Sequence, residues 1–248
     1  MKKLLTFLIA GMVGVVFLGA SAQAADKLVV GCDTNFMPFE FKQDGEYVGF
    51  DIDMWDAIAQ DLGLEYELQP MDFNGLIPAL QTGNIDVAIA GMTIKSAREE
   101  VVDFAYPYYD AGLSILVRQD EEDIKALEDL EGKDVATKLG TTSADFVKKY
   151  AKADDVKLYP NIDAAYMELR SGGADAVLFD SPAVGYYMNT AGKGAVKIVG
   201  PLYQGQSYGI AFPQGSELRE KVSISLLEMM EDGRYAKLYK KWFGHEPR

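Results

Sequence analysis

Two side chains of opposite charge, Arg98 and Asp180, follow strand-like segments in the two halves of the chain, and together they suit a zwitterion. Arg98 is the third residue of a helix whose start is marked by Ser96 and Glu99, a capping-box spacing. A guanidinium forks onto a carboxylate through two parallel hydrogen bonds, and a helix start adds partial positive charge. Alone, Arg98 reads better as a surface partner of Glu99 or Asp103. Thr93 shifts that balance. With Gly91 and Met92 it forms the exit of a strand predicted over 85–90, offering backbone N–H groups and a hydroxyl to an α-carboxylate. Asp180 stands at the equivalent exit of a strand over 176–178 and suits an α-ammonium. Its alternative is an N-cap for the segment starting Ser181-Pro182.

Other residues at strand exits give weaker signals. Asp33, Phe36 and Phe39 follow the first strand and Phe73 the second. Aromatics at loop starts are usually core, and Phe39 and Phe41 are read so. Phe36 and Phe73 are candidates to sandwich an aliphatic side chain. Lys138 and Gly140-Thr141-Thr142 open a helix in the second half, a general anion cradle. The single histidine, His245, lies near the C-terminus, and the single cysteine, Cys32, follows an apolar run and reads as a small buried residue. Ser-His-Asp catalysis, intramolecular disulfides and Cys- or His-rich metal sites are thereby disfavoured, and no cofactor is expected.

The elements that must position these groups alternate. Strands are expected at 28–31, 65–69, 85–90, 134–137 and 176–178, and helices at 51–62, 76–81, from 96 toward 102, from 140 to about 150, and 164–170. Pro78 is expected early in its helix, where a missing N–H is tolerated. This is an α/β fold with mostly parallel pairing. One internal repeat stands out: Leu80 to Gly83 to Asp86, and Leu169 to Gly172 to Asp175, each followed by an apolar strand. The matched spacing predicts two related lobes with their ligand-binding edges on one cleft. Tyr106–Ser114 and Gln204–Tyr208 would carry the chain across and back as a hinge. The tail over 216–242 reads as helical, packed on the first lobe.

Residues 1–24 read as a secretory signal peptide: Lys2 and Lys3, an apolar stretch over 4–20, then Ala22-Gln23-Ala24. The 24 basic residues less those two lysines face 38 acidic ones, a mature balance of −16. Such a chain repels nucleic acid and anionic lipid, while a zwitterion meets no such barrier.

Asp33-Thr34-Asn35-Phe36-Met37-Pro38-Phe39-Glu40-Phe41, followed by Val48-Gly49-Phe50-Asp51-Ile52-Asp53, resembles the opening of family 3 solute-binding proteins for polar amino acids. The stretches 71–81 and 161–169 and the ending 239–244 look most like the glutamine binders of that family. The resemblance spans the mature chain. It implies a type II periplasmic binding fold, with residues 25–109 and 209–248 in lobe 1 and 110–208 in lobe 2, closing on a free L-amino acid, most simply glutamine, for delivery to an ABC transporter permease in the inner membrane. It further implies that Gly91, Thr93 and Arg98 hold the α-carboxylate and ammonium. Asp180 would take the ammonium, and the backbone N–H of Thr142 would complete the carboxylate shell. Asp33 and Lys138 would bond the side-chain amide, and Phe36 and Phe73 would stack on the methylenes. Two positions depart from the glutamine pattern: Phe179 replaces a histidine before the ammonium-binding aspartate, and Thr142 replaces a glycine.

The expected product is a periplasmic monomer that binds without turnover. Three other readings share the scaffold: a binder of another polar amino acid, an exported dehydratase-like enzyme, and a soluble ligand carrier for a receptor.

Overall fold

In the computed structural model, which describes residues 27–247, the chain builds two five-stranded sheets flanked by helices. The predicted signal peptide lies outside the described residues. The first half runs β1 (Leu28–Asp33), a hairpin of β2 (Phe41–Gln43) and β3 (Glu46–Val48), α1 (Phe50–Leu62), β4 (Tyr66–Met71), α2 (Phe73–Gln81), β5 (Val87–Ala88), α3 (Ser96–Glu99), β6 (Asp103–Phe104) and β7 (Tyr109–Arg118). The second half continues β8 (Asp134–Lys138), α4 (Thr142–Phe146), β9 (Asp155–Tyr159), α5 (Ile162–Ser171), β10 (Ala176–Asp180), α6 (Ser181–Asn189), β11 (Val196–Tyr208), β12 (Ala211–Phe212), α7 (Leu218–Glu231) and α8 (Arg234–Phe243).

The first sheet has the order β4-β1-β5-β12-β6, with β1 parallel to both β4 and β5. The second has the order β11-β7-β10-β8-β9, with β8 parallel to β9 and β10. The parallel strands are built from runs such as Val29-Val30 and Ala176-Val177-Leu178, which suit burial on both faces. Both sheets are mixed: β12 is antiparallel to β5 and β6 in the first, and β7 is antiparallel to β10 and β11 in the second. β7 and β11 pair antiparallel with Tyr109 opposite Tyr208, forming a two-stranded connection.

The internal repeat is structural. Gly83 and Gly172 both take the left-handed conformation that ends a helix. Asp86 then accepts the Val29 N–H at 2.8 Å and Asp175 the Asp134 N–H at 2.9 Å, so each aspartate clips its strand onto the neighbouring one. Three sequence expectations need correction. Helix α2 starts at Phe73, which puts Pro78 at its sixth position instead of near its start. Ser96 is the first helical residue, not a cap. The cap position falls to Lys95, no side chain caps the turn, and the helix ends at Glu99. The predicted strand over 85–90 narrows to two residues, although Asp86 and Ile89 continue the backbone bonding to β1.

One apolar core centred on Phe39, Phe50 and Trp55 runs from α1 through the lobe junction to Phe179 and Tyr166, and smaller cores fill each lobe. Helices α7 and α8 pack on α1. Among the described residues no helix is long and apolar enough to cross a membrane, and no cluster of His, Cys, Asp or Glu could hold a metal ion.

Candidate functional site

The two sheets face each other across a cleft, and the ends of their parallel strands supply its charges. Asp33 is the last residue of β1 and Lys138 the last of β8. They form an ion pair across the cleft, with both side chains essentially removed from water. The Lys138 ammonium also lies 6.0 Å from the centre of the Phe73 ring. Burial raises the Asp33 carboxyl, and the Lys138 charge opposes that shift.

Arg98 is buried, and the expectation of a surface pair with Glu99 or Asp103 does not hold. Its Nη1 donates to the Thr93 carbonyl at 2.8 Å and its Nη2 donates to Gly140 O, in the other lobe, at 3.2 Å. The guanidinium sits 5.3 Å above the Phe73 ring, a favourable cation–π geometry. Burial lowers its pKa to about 10, and Asp180 and Asp145 pull it back up. The group stays charged at neutral pH. Gly140 is left-handed, and a Cβ there would come within 2.8 Å of Asn74 Cβ, so glycine lets the two lobes approach closely at the guanidinium.

Thr93 and Thr142, from opposite lobes, both donate their hydroxyls to Oε1 of Gln206 on β11, Thr142 at 2.8 Å. Gln206 Nε2 is buried and has no partner among the described residues. One correction concerns the strand exit 91–93, read above as bare N–H groups. The Gly91 N–H is already taken, donating to Asp51 Oδ2 at 2.9 Å and to the Tyr108 hydroxyl at 3.1 Å.

Asp180 is the last residue of β10, and its side chain makes no N-cap bond to α6. It accepts instead from Ser143 Oγ at 3.0 Å and from the Tyr208 hydroxyl at 2.5 Å. Burial raises its pKa, while the two hydroxyls and then Arg98 work against that rise.

Phe36 stacks on Phe39 at 4.9 Å and meets Phe179 edge-on at 5.8 Å, so the wall near Asp180 is aromatic. Gly91 is pressed against Phe36: a Cβ would lie 2.3 Å from its Cε1. All nine residues singled out from the sequence, Asp33, Phe36, Phe73, Gly91, Thr93, Arg98, Lys138, Thr142 and Asp180, line this one cavity, which with the lobes closed on each other has a free volume of only about 10 Å³. An amino acid therefore enters only as the two lobes part. Its four buried charges balance, two positive and two negative.

Sequence reasoning missed the polar groups that hold this lining in place: Gln206, Tyr208, Ser143 and Asp51. Gln206 and Tyr208 did carry a signal, because they lie two apart on the second connecting strand and so share one face.

Comparison with known proteins fits this geometry. The ABC transporter glutamine-binding protein GlnH of Bacillus subtilis is 37% identical over 235 residues, covering 92% of this chain and 85% of that one. A solved ancestral arginine-binding protein bound to glutamine is 49% identical, with a TM-score of 0.84 over 88% of this chain and 98% of that one. The ancestral amino acid-binding protein AncCDT-1, a precursor of cyclohexadienyl dehydratase, is 42% identical, with a TM-score of 0.82 over 88% and 95% of the two chains. The profile of the bacterial extracellular solute-binding proteins, family 3, matches residues 28–245, and the chain belongs to that family, with the two-lobed type II periplasmic binding fold.

Proposed function

We propose that this chain is an exported carrier that closes its two lobes on one neutral polar L-amino acid, glutamine, and presents it to an ABC importer. The lobe division falls at the paired connecting strands, with 25–109 and 209–248 on one side and 110–208 on the other. Residues 1–24 would be removed on export, and the mature protein works in the periplasm as a monomer.

The observation that carries this reading is the charge balance of the cleft: Arg98 and Lys138 against Asp33 and Asp180, all buried. A zwitterion with an uncharged side chain enters such a cleft without leaving a net buried charge, and buried unpaired charge is what a low-dielectric site rejects most strongly. Arg98 and the N–H of Thr142 take the α-carboxylate, and Asp180 takes the ammonium. Lys138 and Asp33 separate enough for an amide to bond between them, its carbonyl accepting from the lysine and its NH2 donating to the aspartate. Phe36 and Phe73 cover the methylenes. Arginine would place a third cation beside Lys138, and glutamate would set a second anion against Asp33.

The protein carries its ligand and does not transform it. The acids of the cleft are each committed: Asp33 pairs with Lys138, and Asp180 accepts two hydroxyl protons. Its only histidine, His245, packs by the Tyr239 ring near the C-terminus. Calorimetry on refolded, ligand-stripped protein tests this. Saturable heat is expected with glutamine, with glutamate and arginine at least about 100-fold weaker, because each leaves a buried partner unmatched. No heat with any of the twenty amino acids, or consumption of the ligand during incubation, would overturn the reading.

A further inference from the structure

Behind the ligand cavity lies a second cluster of titratable groups. Glu40 and Asp51 are both fully buried. Asp51 Oδ2 accepts from the Gly91 N–H at 2.9 Å and from the Tyr108 hydroxyl at 2.8 Å. The remaining Asp51 oxygen and both Glu40 oxygens are buried with no other donor among the described residues. Two carboxyls so placed cannot both be ionised, because nothing neutralises the second charge. A single proton between them resolves the conflict, with one acid donating to the other's free oxygen. Asp51 is the ionised member: it takes two donors and sits in the first turn of α1, where the helix favours an anion. Glu40, with no donor of its own, keeps the proton.

The consequence falls on the ligand loop. A trans peptide directs its N–H and C=O to opposite sides. With the Gly91 N–H held by Asp51, the Ala90 carbonyl of the same peptide is turned away from the acid pair. Neither the Ala90 nor the Gly91 carbonyl accepts a bond from a described residue, and both residues line the ligand cavity. We propose that Glu40 and Asp51 act as a positioning pair that fixes the Gly91 peptide with its donor turned inward, so that the Gly91 N–H is withheld from the ligand and the Ala90 and Gly91 carbonyls stay free at the cavity wall to accept from its ammonium. This rests on the amino-acid-binding reading above and deepens it: the first lobe then contributes to both ends of the zwitterion. Tyr108 extends the arrangement to the connection between lobes, because its N–H donates to Tyr208 O at 2.9 Å.

The charged and titratable groups facing the pair are Cys32 and Asp33 on β1, Lys138 on β8, Tyr108 before β7 and Tyr235 on α8. Burial raises both acids, Asp51 to about 6 and Glu40 well above its ordinary range. The anchored arrangement is therefore complete above about pH 6 and ends on the alkaline side, when Glu40 loses its proton.

The test follows the Gly91 amide by nitrogen-15 NMR in ligand-free protein from pH 5 to 9, alongside calorimetric glutamine affinity, for the wild type, Glu40→Gln and Asp51→Asn. In the wild type the Gly91 proton is expected far downfield and moving with pH. In E40Q, whose amide donates at every pH, the resonance stays fixed on the alkaline side and affinity holds there within about twofold. In D51N the resonance moves upfield and affinity drops at least about tenfold. A Gly91 resonance and affinity profile unchanged in both variants, with only melting temperature altered, would reduce the pair to a structural role and overturn the proposal. Should D51N fail to fold, the near-isosteric E40Q carries the same test. If no amino acid binds the wild type, the carrier reading falls, while the ligand-free resonance still decides how the Gly91 peptide is held.

Discussion

Lys138 and Asp33 meet tip to tip across the cleft, one from each lobe, in a place water does not reach. A buried ion pair is worth little net stability, yet removing one partner strands the other's charge at about 3–5 kcal/mol. Here the protein has an escape, since opening the cleft returns Asp33 to solvent. Lys138→Met should therefore weaken closure more than folding. The expected results are an increased radius of gyration by small-angle scattering, a melting temperature within a few degrees of wild type, and loss of glutamine binding by about 100-fold or more. A compact K138M that still binds glutamine normally would contradict the role given to the pair.

Arg98 reaches from the first lobe to Gly140 O in the second while keeping Thr93 O in its grip. A lysine in its place keeps the charge but loses the fork. Arg98→Lys is expected to lower affinity about 100-fold with circular dichroism unchanged, and every α-amino acid that binds should be affected alike. A loss confined to glutamine would place Arg98 at the side-chain end of the ligand instead.

Asp180 is pushed up by burial and pulled down first by the Tyr208 hydroxyl. A raised folded-state pKa means the fold holds the proton on Asp180 more tightly than the unfolded chain does. Its contribution to ligand-free stability is full at pH values below the unfolded pKa and is lost as pH rises through the folded one. Ligand ammonium needs the opposite form, the anion. Tyr208→Phe removes a donor to that anion and raises the pKa further, so the acid limb of the affinity profile should move to higher pH. Titrating affinity between pH 4 and 8 for wild type and Y208F checks this, and a limb moving to lower pH would refute it.

Burial pushes the Cys32 thiol up to about 12, with the Asp33 and Asp51 charges adding to the rise. It should be inert to Ellman's reagent at pH 8 in the folded protein and react stoichiometrically in denaturant. Fast reaction of the native protein would place the thiol at the surface.

The two-lobe plan was legible because its joint is written twice, Gly83 with Asp86 and Gly172 with Asp175, and in each case spacing alone sets a left-handed glycine and a strand-clipping carboxylate. The nine cavity residues were legible because strand exits of open sheets are where ligands are held. What was not legible depended on partners distant in sequence. Arg98 was legible as a candidate, but its anchor was not, because the Gly140 carbonyl that accepts its hydrogen bond lies 42 residues later. The strand exit at Gly91 reads as a set of free donors until Asp51, 40 residues earlier, claims the first. Ser96 carries a capping pattern, but the backbone enters the helix one residue sooner, so the hydroxyl cannot reach the cap position.

The connection between the lobes is a ribbon of two hydrogen-bonded strands, with Tyr109 paired to Tyr208. A ribbon of that kind bends across its face but resists shear within its plane and resists stretching. Two paired strands are the sort of connection about which lobes hinge, and such a hinge favours one closed arrangement over many. A membrane partner then needs to recognise only one silhouette to know that the carrier is loaded, whatever molecule sits inside.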